Sequence, residues 1–380
     1  MAKKKPAKPT RSQPAQPAAV EATGADVRRL RSAIDELDRR LVELVNERAS
    51  LALRLGAVKD ALDRPTYDPQ REEEIIRRAV ELNKGPLGER CVAAVLREVI
   101  SGTRSLKPGL RVAYLGPAYS YSHLAAIQLF GQSEDLVPVG SITAVFEEVD
   151  SRQSQLGIVP LENSTDGRIA DTLDNFARRK LRIRGEVQLR IHHYLLGRCP
   201  RADVQEVYSR PQALSQCRNW LAKHLPTARL IEVTSTSTAA QLARDKAGAA
   251  AIASRQAGVN YGLDVLAGNI EDNASNVTRF ALLGHEPAER TGNDKSAAMF
   301  ELEHRAGALA DAITVFKRNR VNLTWIESFP MSGPAGGYLF FVELEGHQQD
   351  TRVRKALQAL ARKVVRVEVL GSYAKSEPVD

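Results

Sequence analysis

The chain has 380 residues, of which 43% are hydrophobic and 26% charged, and its 54 Lys and Arg against 46 Asp and Glu give a net charge of +8. This length and composition suit a globular protein of two or three domains. The three cysteines, Cys91, Cys199 and Cys217, form no C-x-x-C pair, which excludes a disulfide framework and a thiolate zinc site and predicts a reduced, cytoplasmic protein.

The first 24 residues form a basic tail rich in Pro and Ala. They hold five Lys or Arg residues and one Glu, which is half of the net charge of the chain. This composition predicts disorder over 1–24, without the apolar run of a signal peptide. The remaining charge is nearly balanced and no zinc-finger spacing occurs, so we expect neither a nucleic-acid partner nor a membrane partner.

The next segment, 25–107, is predicted to be all-α, and we call it the helical segment. Its apolar residues alternate in steps of four and three, which predicts one long helix over 26–63 packed against other helices. These seam residues are Leu30, Ile34, Leu37, Leu41, Leu44, Leu51, Leu55, Val58 and Leu62. A second helix is predicted to begin with Asp68 as N-cap and Pro69 in its first turn, and a third runs from about 88 to 105.

One position of the seam carries a charge, because Arg48 stands where the pattern calls for an apolar residue. A buried Arg either pairs with a structural carboxylate, fixes the helix register, or binds an anion. Lys59 lies eleven residues further on the same face, about 16 Å along the axis. Arg31 points roughly a quarter turn away. Three cations without matching acids on the seam indicate a pocket for a small anion of more than one charge.

The stretch LRSAIDELDRRLVELVNERASLALRLGAVK (30–59) and RPTYDPQREEEI (64–75) resemble the all-helical chorismate mutases. The resemblance implies an intertwined homodimer, in which Arg31 reaches the site of the other chain, and a rearrangement of chorismate to prephenate without acid, base, nucleophile or cofactor. Cations hold both carboxylates and stabilise the ether oxygen. The site residues it implies are Arg31, Arg48, Lys59, Asp68, Arg71 and Glu72, with Thr103 and Lys107 where relatives have a small hydroxyl and Gln or Glu.

The middle segment, 108–290, alternates short apolar strands with helices, and we call it the central segment. Strands are predicted at 110–115, 156–160, 183–196, 204–208, 229–233, 249–253 and 277–283, and helices near 121–130, 141–150, 211–223 and 237–245. This order predicts an α/β domain with mostly parallel sheets, and its length suits two lobes around a cleft.

Polar residues gather where strands of this segment end or begin. They lie in the stretches 114–126, 157–167, 234–240 and 276–279. Each of the first three alone is more often a helix cap than a site. Three of them at strand-to-helix turns, joined by the polar run 276–279, nevertheless favour a working site. The histidines His123, His192 and His193 have no metal-binding spacing, so no metal or cofactor is expected.

These stretches together resemble prephenate dehydratase, a two-lobed α/β enzyme whose Thr-Arg-Phe motif is essential for catalysis. That motif falls on Thr278, Arg279 and Phe280, and the other site residues implied are Glu162, Asn163, Ser164, Thr236, Ser237 and Asn276. The implied reaction removes a hydroxyl and carbon dioxide from prephenate, with Thr278 donating to the leaving oxygen and Arg279 binding a carboxylate. Because side chains alternate along a strand, Arg279 has a structural role instead if the strand has already begun at Thr278.

The last segment, 291–380, reads strand (297–302), helix (307–317), strand (323–328), strand (338–345), helix (351–361), strand (364–370), and we call it the C-terminal segment. This order is that of a ferredoxin-like sandwich. The stretch AGALADAITVFKRNRVNLTWIESFP (306–330) resembles the ACT domain, which binds amino acids. The resemblance implies a phenylalanine site made by Gly307, Ala308 and Leu309 with Glu327 and Ser328, and Phe329 stands where many relatives have Arg.

The three segments occur in the order of the fused enzyme of phenylalanine biosynthesis. These resemblances therefore imply chorismate mutase and prephenate dehydratase activities under feedback inhibition by phenylalanine, in a homodimer or larger assembly. The rival prediction is a non-catalytic two-lobed ligand-binding regulator, and a plain dimerisation sandwich is the alternative for the C-terminal segment.

Overall fold

The computed structural model describes residues 23–62, 67–107, 110–165, 167–330 and 338–379. The chain divides into two compact units, Met1–Thr66 and Tyr67–Asp380. Disorder is predicted for the basic tail over 1–24. Residues 1–22 lie outside the described residues, whereas Thr23 and Gly24 already belong to the start of a helix.

The first unit contains one long helix, α1 (Gly24–Ala61). Thr23 caps it, since its hydroxyl accepts from the amide of Asp26 while the Asp26 carboxylate accepts from the amide of Thr23, both at 3.3 Å. The seam residues predicted from the sequence are exposed, at 60% for Leu30, 59% for Leu37 and 60% for Leu44. A row of apolar side chains along 38 residues of helix is therefore open to solvent in a single chain.

The second unit begins with the helices α2 (Pro69–Leu82) and α3 (Glu89–Arg104). The predicted N-cap is confirmed, because the Asp68 carboxylate accepts from the amide of Arg71 at 3.0 Å. The α3 helix packs against the central segment, where the hydroxyl of Ser101 accepts from the amide of Ser133 at 3.2 Å. Both helices thus belong to the same compact unit as the central segment.

The central segment forms two lobes that each contain a sheet. The first lobe has β1 (Arg111–Leu115), α4 (Tyr121–Phe130), β2 (Asp135–Val139), α5 (Ile142–Asp150), β3 (Leu156–Asn163), β4 (Gly167–Arg168), α6 (Ala170–Arg178) and β5 (Arg182–Arg190). The second lobe has β6 (Tyr194–Gly197), a 3-10 turn (Arg201–Asp203), β7 (Glu206–Ser209), α7 (Pro211–Gln216), α8 (Arg218–His224), β8 (Arg229–Glu232), α9 (Thr236–Asp245), β9 (Ala249–Ala253), α10 (Arg255–Tyr261) and β10 (Asp264–Ala267). The chain then returns to the first lobe as β11 (Val277–Gly284).

The strand predicted at 183–196 is in fact two strands, β5 and β6, which belong to different sheets. Residues 191–193 connect them, so the chain passes from one lobe to the other inside what reads as a single apolar run. The second passage, back to β11, lies beside the first, because the amide of Ile191 donates to the carbonyl of Asn276 at 2.8 Å.

The prediction of mostly parallel sheets is wrong. The first sheet has the order β16-β5-β11-β3-β1-β2, with β4 beside β3, and the second has the order β10-β6-β9-β7-β8. The β1 strand is parallel to β2 and β3, but β11 is antiparallel to both β3 and β5. In the second lobe β6 is antiparallel to β9 and β10. The sheets are mixed because β11 and β6, which adjoin the two passages, are antiparallel to their neighbouring strands.

The C-terminal segment has the predicted βαββαβ order. Its elements are β12 (Asp294–Leu302), α11 (Ala308–Arg318), β13 (Leu323–Pro330), β14 (Tyr338–Glu345), α12 (Thr351–Ala361) and β15 (Arg366–Ala374), followed by β16 (Pro378–Val379). Its sheet has the order β13-β14-β12-β15, and Phe300 on one face packs with both helices. On the other face Met299 and Phe341 join the core of the first lobe, and β16 pairs with β5. The C-terminal segment is therefore built into the central segment.

Candidate active and effector sites

The residues predicted for the mutase site are divided between the two compact units. Arg31, Arg48 and Lys59 lie on α1, where Arg31 is exposed and the other two are half-buried. The rest lie around α2 and α3. Lys107 follows the end of α3 at Arg104, so it is not a helical residue. The hydroxyl of Thr103 donates to the carbonyl of Val99 at 2.7 Å.

The structure gives Glu72 a partner that sequence reasoning missed. Arg104 donates from Nη1 to both Glu72 oxygens, at 2.6 and 2.5 Å, from Nε to Glu134 at 2.7 Å, and from Nη2 to the carbonyl of Phe130 at 2.7 Å. Burial raises the pKa of Glu72 and of Glu134 above their ordinary values, even though Arg104 opposes the shift. Arg71, in contrast, pairs with Glu74 at 2.6 Å on the helix surface. Arg104 gives no sequence signal beyond a basic residue in the last turn of a helix.

The strand β11 begins at Val277, so Thr278 and Arg279 face opposite sides of the first sheet. Thr278 lies opposite Asn163 and Arg279 lies opposite Glu162 in the pairing of β11 with β3. The predicted dehydratase residues therefore fall into two groups, one on each face.

On one face, Thr278 is 8% exposed and its hydroxyl oxygen accepts from the side-chain amide of Asn163 at 2.7 Å. The side-chain oxygen of Asn163 accepts from the backbone N–H of Thr165 at 2.9 Å, which fixes the orientation of the Asn163 amide. Because the Thr278 oxygen acts as the acceptor, its own O–H can donate to another group. Within the described residues, the structure records no acceptor for that proton.

Phe280, two residues further on the same strand, is a core residue. Its ring is 2% exposed and packs with Tyr114 and Phe130 in the core of the first lobe. The ring anchors the strand that carries Thr278, and the substrate contact expected for Phe280 stays a prediction.

On the other face, Arg279 belongs to a buried group of charges that we call the charge cluster. Its members are Arg279, Lys295, Glu162, Glu186 and Glu343. The guanidinium lies 2.8 Å from Glu162, 3.1 Å from Glu186 and 2.5 Å from Glu343, and the last of these carboxylates is on β14. The alternative stated from the sequence is thus supported: Arg279 pairs with carboxylates of the protein and joins β11 to the C-terminal segment.

A polar network continues from Thr278 into the second lobe. The buried side chain of Asn276 accepts from the hydroxyl of Thr165 at 3.3 Å and donates to Gln216 at 3.1 Å. The same oxygen of Gln216 lies 2.9 Å from Nε2 of His193, and the hydroxyl of Ser164 accepts from the amide of Val277 at 2.9 Å.

No sequence motif points to Gln216. His193 was visible only as one of two adjacent histidines, and the structure places it in the passage between the lobes. Burial lowers the pKa of His193, which keeps its ring neutral near pH 7. Burial likewise raises the pKa of the Cys217 thiol, so that cysteine is inert.

The residues Thr236 and Ser237 are not the cap of α9. Ser235 is the cap, since its hydroxyl accepts from the amide of Thr238 at 2.9 Å. The hydroxyl of Ser237 is fully buried and has no hydrogen-bond partner among the residues that the structure describes. The cap explanation considered for this stretch therefore does not account for Thr236 and Ser237.

The predicted phenylalanine-site residues lie on two elements of the C-terminal sandwich. Gly307 precedes α11 with a φ of 81°, and Leu309 is exposed in its first turn. Glu327 and Ser328 lie on β13, an edge strand of the four-stranded sheet. Over the described part of one chain, no hydrogen bond or ion pair joins the two sets.

Neither a metal-binding cluster nor a membrane-spanning helix occurs among the described residues. No group of three or more His, Cys, Asp or Glu in the described ranges is arranged to hold a metal ion. No helix in those ranges combines the length and apolar character needed to cross a membrane.

Three family models match the chain in sequence order. They are chorismate mutase type II over residues 30–107, prephenate dehydratase over 112–288 and the ACT domain over 297–362. A protein described as "Bifunctional chorismate mutase/prephenate dehydratase" from Aquifex aeolicus is 40% identical over 356 residues, covering 92% of this chain and 98% of its own. One of the same description from Escherichia coli K12 is 30% identical, with 92% and 97% covered. The crystal structure of a prephenate dehydratase in complex with L-Phe, from Arthrobacter aurescens, matches with a TM-score of 0.67 and 33% identity over 70% of this chain and 90% of that one.

Proposed function

The chain belongs to the family of bifunctional chorismate mutase/prephenate dehydratases, and from this premise we propose how its residues perform the two reactions and their regulation. The enzyme rearranges chorismate to prephenate and then converts prephenate to phenylpyruvate, and its ACT domain senses phenylalanine. We place the mutase in 25–107, the dehydratase in 108–290 and the ACT domain in 291–380, in a cytoplasmic enzyme that requires no cofactor.

In the mutase, the cations of α1 supply binding and transition-state stabilisation. Arg48 and Lys59 hold the carboxylates of chorismate so that the two reacting carbons approach, and a cation stabilises the ether oxygen as its bond breaks. Arg31 reaches the site of a second chain. Asp68 and Glu72 hydrogen-bond the ring hydroxyl or orient the cations, while Arg71, Thr103 and Lys107 complete the site. The exposed apolar seam of α1 supports a homodimer, because burying such a row of residues requires a partner.

In the dehydratase, the observation that carries the proposal is the hydrogen bond from Asn163 to Thr278. The side-chain nitrogen of Asn163 can act only as a donor, so the Thr278 oxygen is the acceptor in this bond. The Thr278 hydroxyl proton then points elsewhere and donates to the leaving oxygen of prephenate. Departure of hydroxide with carbon dioxide gives the aromatic ring, so the enzyme needs to stabilise charge and position the substrate. A hydroxyl held in a nearly dry site does this better than one in water.

The remaining dehydratase residues bind the substrate or hold the site together. Ser237, with its buried and unpartnered hydroxyl, and Thr236 at the N-terminus of α9 suit a carboxylate of prephenate. Ser164 and Asn276 fix the turn that contains Thr165. Glu162 and Arg279 act from the opposite face by holding β3 and β11 in register.

For regulation, we place phenylalanine between two ACT domains. The carboxylate of the amino acid binds the first amides of α11 at Gly307, Ala308 and Leu309, and its ammonium group binds Glu327 and the carbonyl of Ser328 of a second chain. The edge position of β13 leaves this strand available to another copy. Occupancy of that site lowers dehydratase activity.

The test is to replace Thr278 in the full-length protein and to follow chorismate and phenylpyruvate by ultraviolet absorbance. Thr278→Ala should lower dehydratase turnover by about 10²–10³-fold, as the loss of one oriented donor does, while prephenate accumulates from an unchanged mutase. Thr278→Ser keeps the donor and should retain part of the activity.

The matched control is Thr172→Ala. Thr172 is a buried threonine of the same lobe, and its hydroxyl donates to the carbonyl of Pro160 at 2.6 Å. This variant should lose stability but keep its turnover. Full dehydratase turnover in Thr278→Ala would remove the hydroxyl from the mechanism. A wild-type protein that binds prephenate without consuming it would favour the non-catalytic regulator.

A further inference from the structure

Arg168 connects the dehydratase domain to the strand of the ACT domain where the phenylalanine site is placed. Its Nη1 donates to the carboxylate of Glu327 at 2.8 Å and to the carbonyl of Ser328 at 3.1 Å. Its guanidinium also lies 4.6 Å from the centre of the Phe329 ring. One side chain of the central segment thus contacts three consecutive residues of β13.

These contacts use the groups that an amino acid needs. The ammonium group of an amino acid is recognised by a carboxylate and by carbonyl oxygens, and on β13 those acceptors are Glu327 and Ser328. Both already accept from Arg168. A guanidinium and an ammonium group cannot share them at full strength, since each carries a full positive charge.

We propose that Arg168 is an internal competitor of phenylalanine, and that the effector acts by displacing it from Glu327 and Ser328. This inference rests on the phenylalanine site proposed above. It assigns to the dehydratase domain one residue of the effector site and identifies the contact that the effector breaks.

The displacement of Arg168 can affect the Thr278 hydroxyl, because paired strands connect the two residues. Arg168 lies in β4, which pairs with the end of β3, so that Arg168 is opposite Glu162 and Gly167 is opposite Asn163. Asn163 is the residue that holds Thr278. While Arg168 is bound to β13, the β3–β4 hairpin is fixed at both ends; when Arg168 is released, the Asn163 amide loses part of its support.

Thermodynamic linkage fixes the direction in which removal of Arg168 must change phenylalanine binding. If the Arg168 contacts belong to the active state and phenylalanine binds the state without them, removing Arg168 must favour phenylalanine binding. The same change must lower dehydratase activity in the absence of phenylalanine toward the inhibited level. The activity of such a variant should therefore respond little to phenylalanine, although it binds phenylalanine more tightly.

The experiment is calorimetric titration of phenylalanine into full-length wild-type protein and Arg168→Ala, beside dehydratase assays with and without phenylalanine. Arg168 is 38% exposed at its side chain, so we expect about fivefold tighter binding, the scale of one exposed ion pair with a cation–π contact. Arg168→Lys keeps the charge without the planar stacking surface and should lie between the two.

Arg111→Ala is the matched control. Arg111 is also a strand arginine of the first lobe, and it likewise donates to one carboxylate, Asp135 at 2.9 Å, and to one backbone carbonyl, Gln153 at 3.2 Å. It should leave phenylalanine binding and inhibition unchanged. Unchanged or weaker binding in Arg168→Ala would overturn the competition, and weaker binding would make Arg168 a ligand of phenylalanine. No heat with wild-type protein would overturn the effector site itself, whereas wild-type binding with an unaltered Arg168→Ala would remove only this inference.

Discussion

Thr278 and Arg279 are neighbours in sequence but have separate tasks, because β11 directs their side chains to opposite faces. The threonine faces Asn163, and the arginine enters the charge cluster with two carboxylates that are almost fully buried, Glu186 and Glu343. Two cations and three carboxylates in one place leave little tolerance for the loss of a member. The motif thus combines the proposed hydrogen-bond donor, Thr278, with a cation, Arg279, that pairs with buried carboxylates.

Arg279→Gln should therefore destabilise the folded protein more than it alters the chemistry at Thr278. Leaving buried carboxylates without their counter-charge costs about 3–5 kcal/mol, which denaturant unfolding of the second unit would measure. Arg111→Gln removes a surface pair with side chains 44% and 63% exposed and should cost well under 1 kcal/mol, roughly the scale of exposed pairs. Equal stability of the two variants would contradict the structural role of Arg279.

The pH at which the folded protein unfolds in acid provides a second measurement of the structural role of Arg279. Burial alone would raise the pKa of Glu186, but Lys295 and Arg279 outweigh it and hold that pKa below its ordinary value of 4.5. The stabilisation from Glu186 is therefore present above pH 4.5 and is lost as the pH falls through the lowered pKa. Without Arg279 the lowering is smaller, so the acid unfolding midpoint of Arg279→Gln should move to higher pH.

At the scale of elements, α1 is the feature with the clearest consequence for assembly. A glutamate on its apolar seam should prevent burial of that seam against another chain. We expect Leu44→Glu to shift the protein toward a monomer and to lower mutase activity strongly, because a buried unpaired charge is costly. Light scattering after size-exclusion chromatography, with mutase assays, would measure both.

Val42→Glu is the control for this prediction. Val42 is 61% exposed, as Leu44 is at 60%, but it lies off the seam. The same exchange there should leave the oligomer and the mutase intact. Dissociation by both variants, or by neither, would show that the seam is not the contact surface.

The elements that the sequence predicted well are those with a strong local signal. The period of α1, the Asp68-Pro69 start of α2 and the βαββαβ order of the ACT domain each follow from residues near one another in sequence. The division of 183–196 into β5 and β6 could not be predicted, because both halves are apolar and only the partner strands differ.

The sites follow the same rule. Thr278 and Asn163 were identifiable because each belongs to a motif. Gln216 and Arg168 were not, since neither stands in a patterned stretch and each depends on a distant partner, Asn276 for Gln216 and Ser328 for Arg168. Arg104 was missed for the same reason, because its contacts with Glu72 and Glu134 are long-range.

At the scale of the whole molecule, the compact units divide at Thr66 and Tyr67 rather than at the end of α3. A chain beginning at Tyr67 should therefore fold and keep dehydratase activity and phenylalanine inhibition, while it loses the mutase with α1. A chain beginning at Leu110 also loses Tyr67 and Arg104, which lie against the buried ring of Phe130. Because this uncovers the ring, we expect the second truncation to be less stable by about 2 kcal/mol, the scale of exposing one large apolar side chain.

Thermal unfolding and phenylpyruvate assays of the two truncated chains would measure this difference. Equal melting temperatures would show that α2 and α3 add nothing to the dehydratase. A chain from Tyr67 without dehydratase activity would show that the activity needs the first unit.

The position of β11 also has a consequence for the order in which the enzyme can become active during synthesis. This strand fills the gap between β3 and β5, but the whole second lobe is synthesised between β5 and β11. A nascent chain therefore carries two unpaired strand edges through the translation of about 85 residues, a sequence separation that slows folding and exposes these edges to other chains. Thr278 lies on the strand that closes the gap, so the first lobe gains this proposed catalytic residue in the same event that completes its sheet.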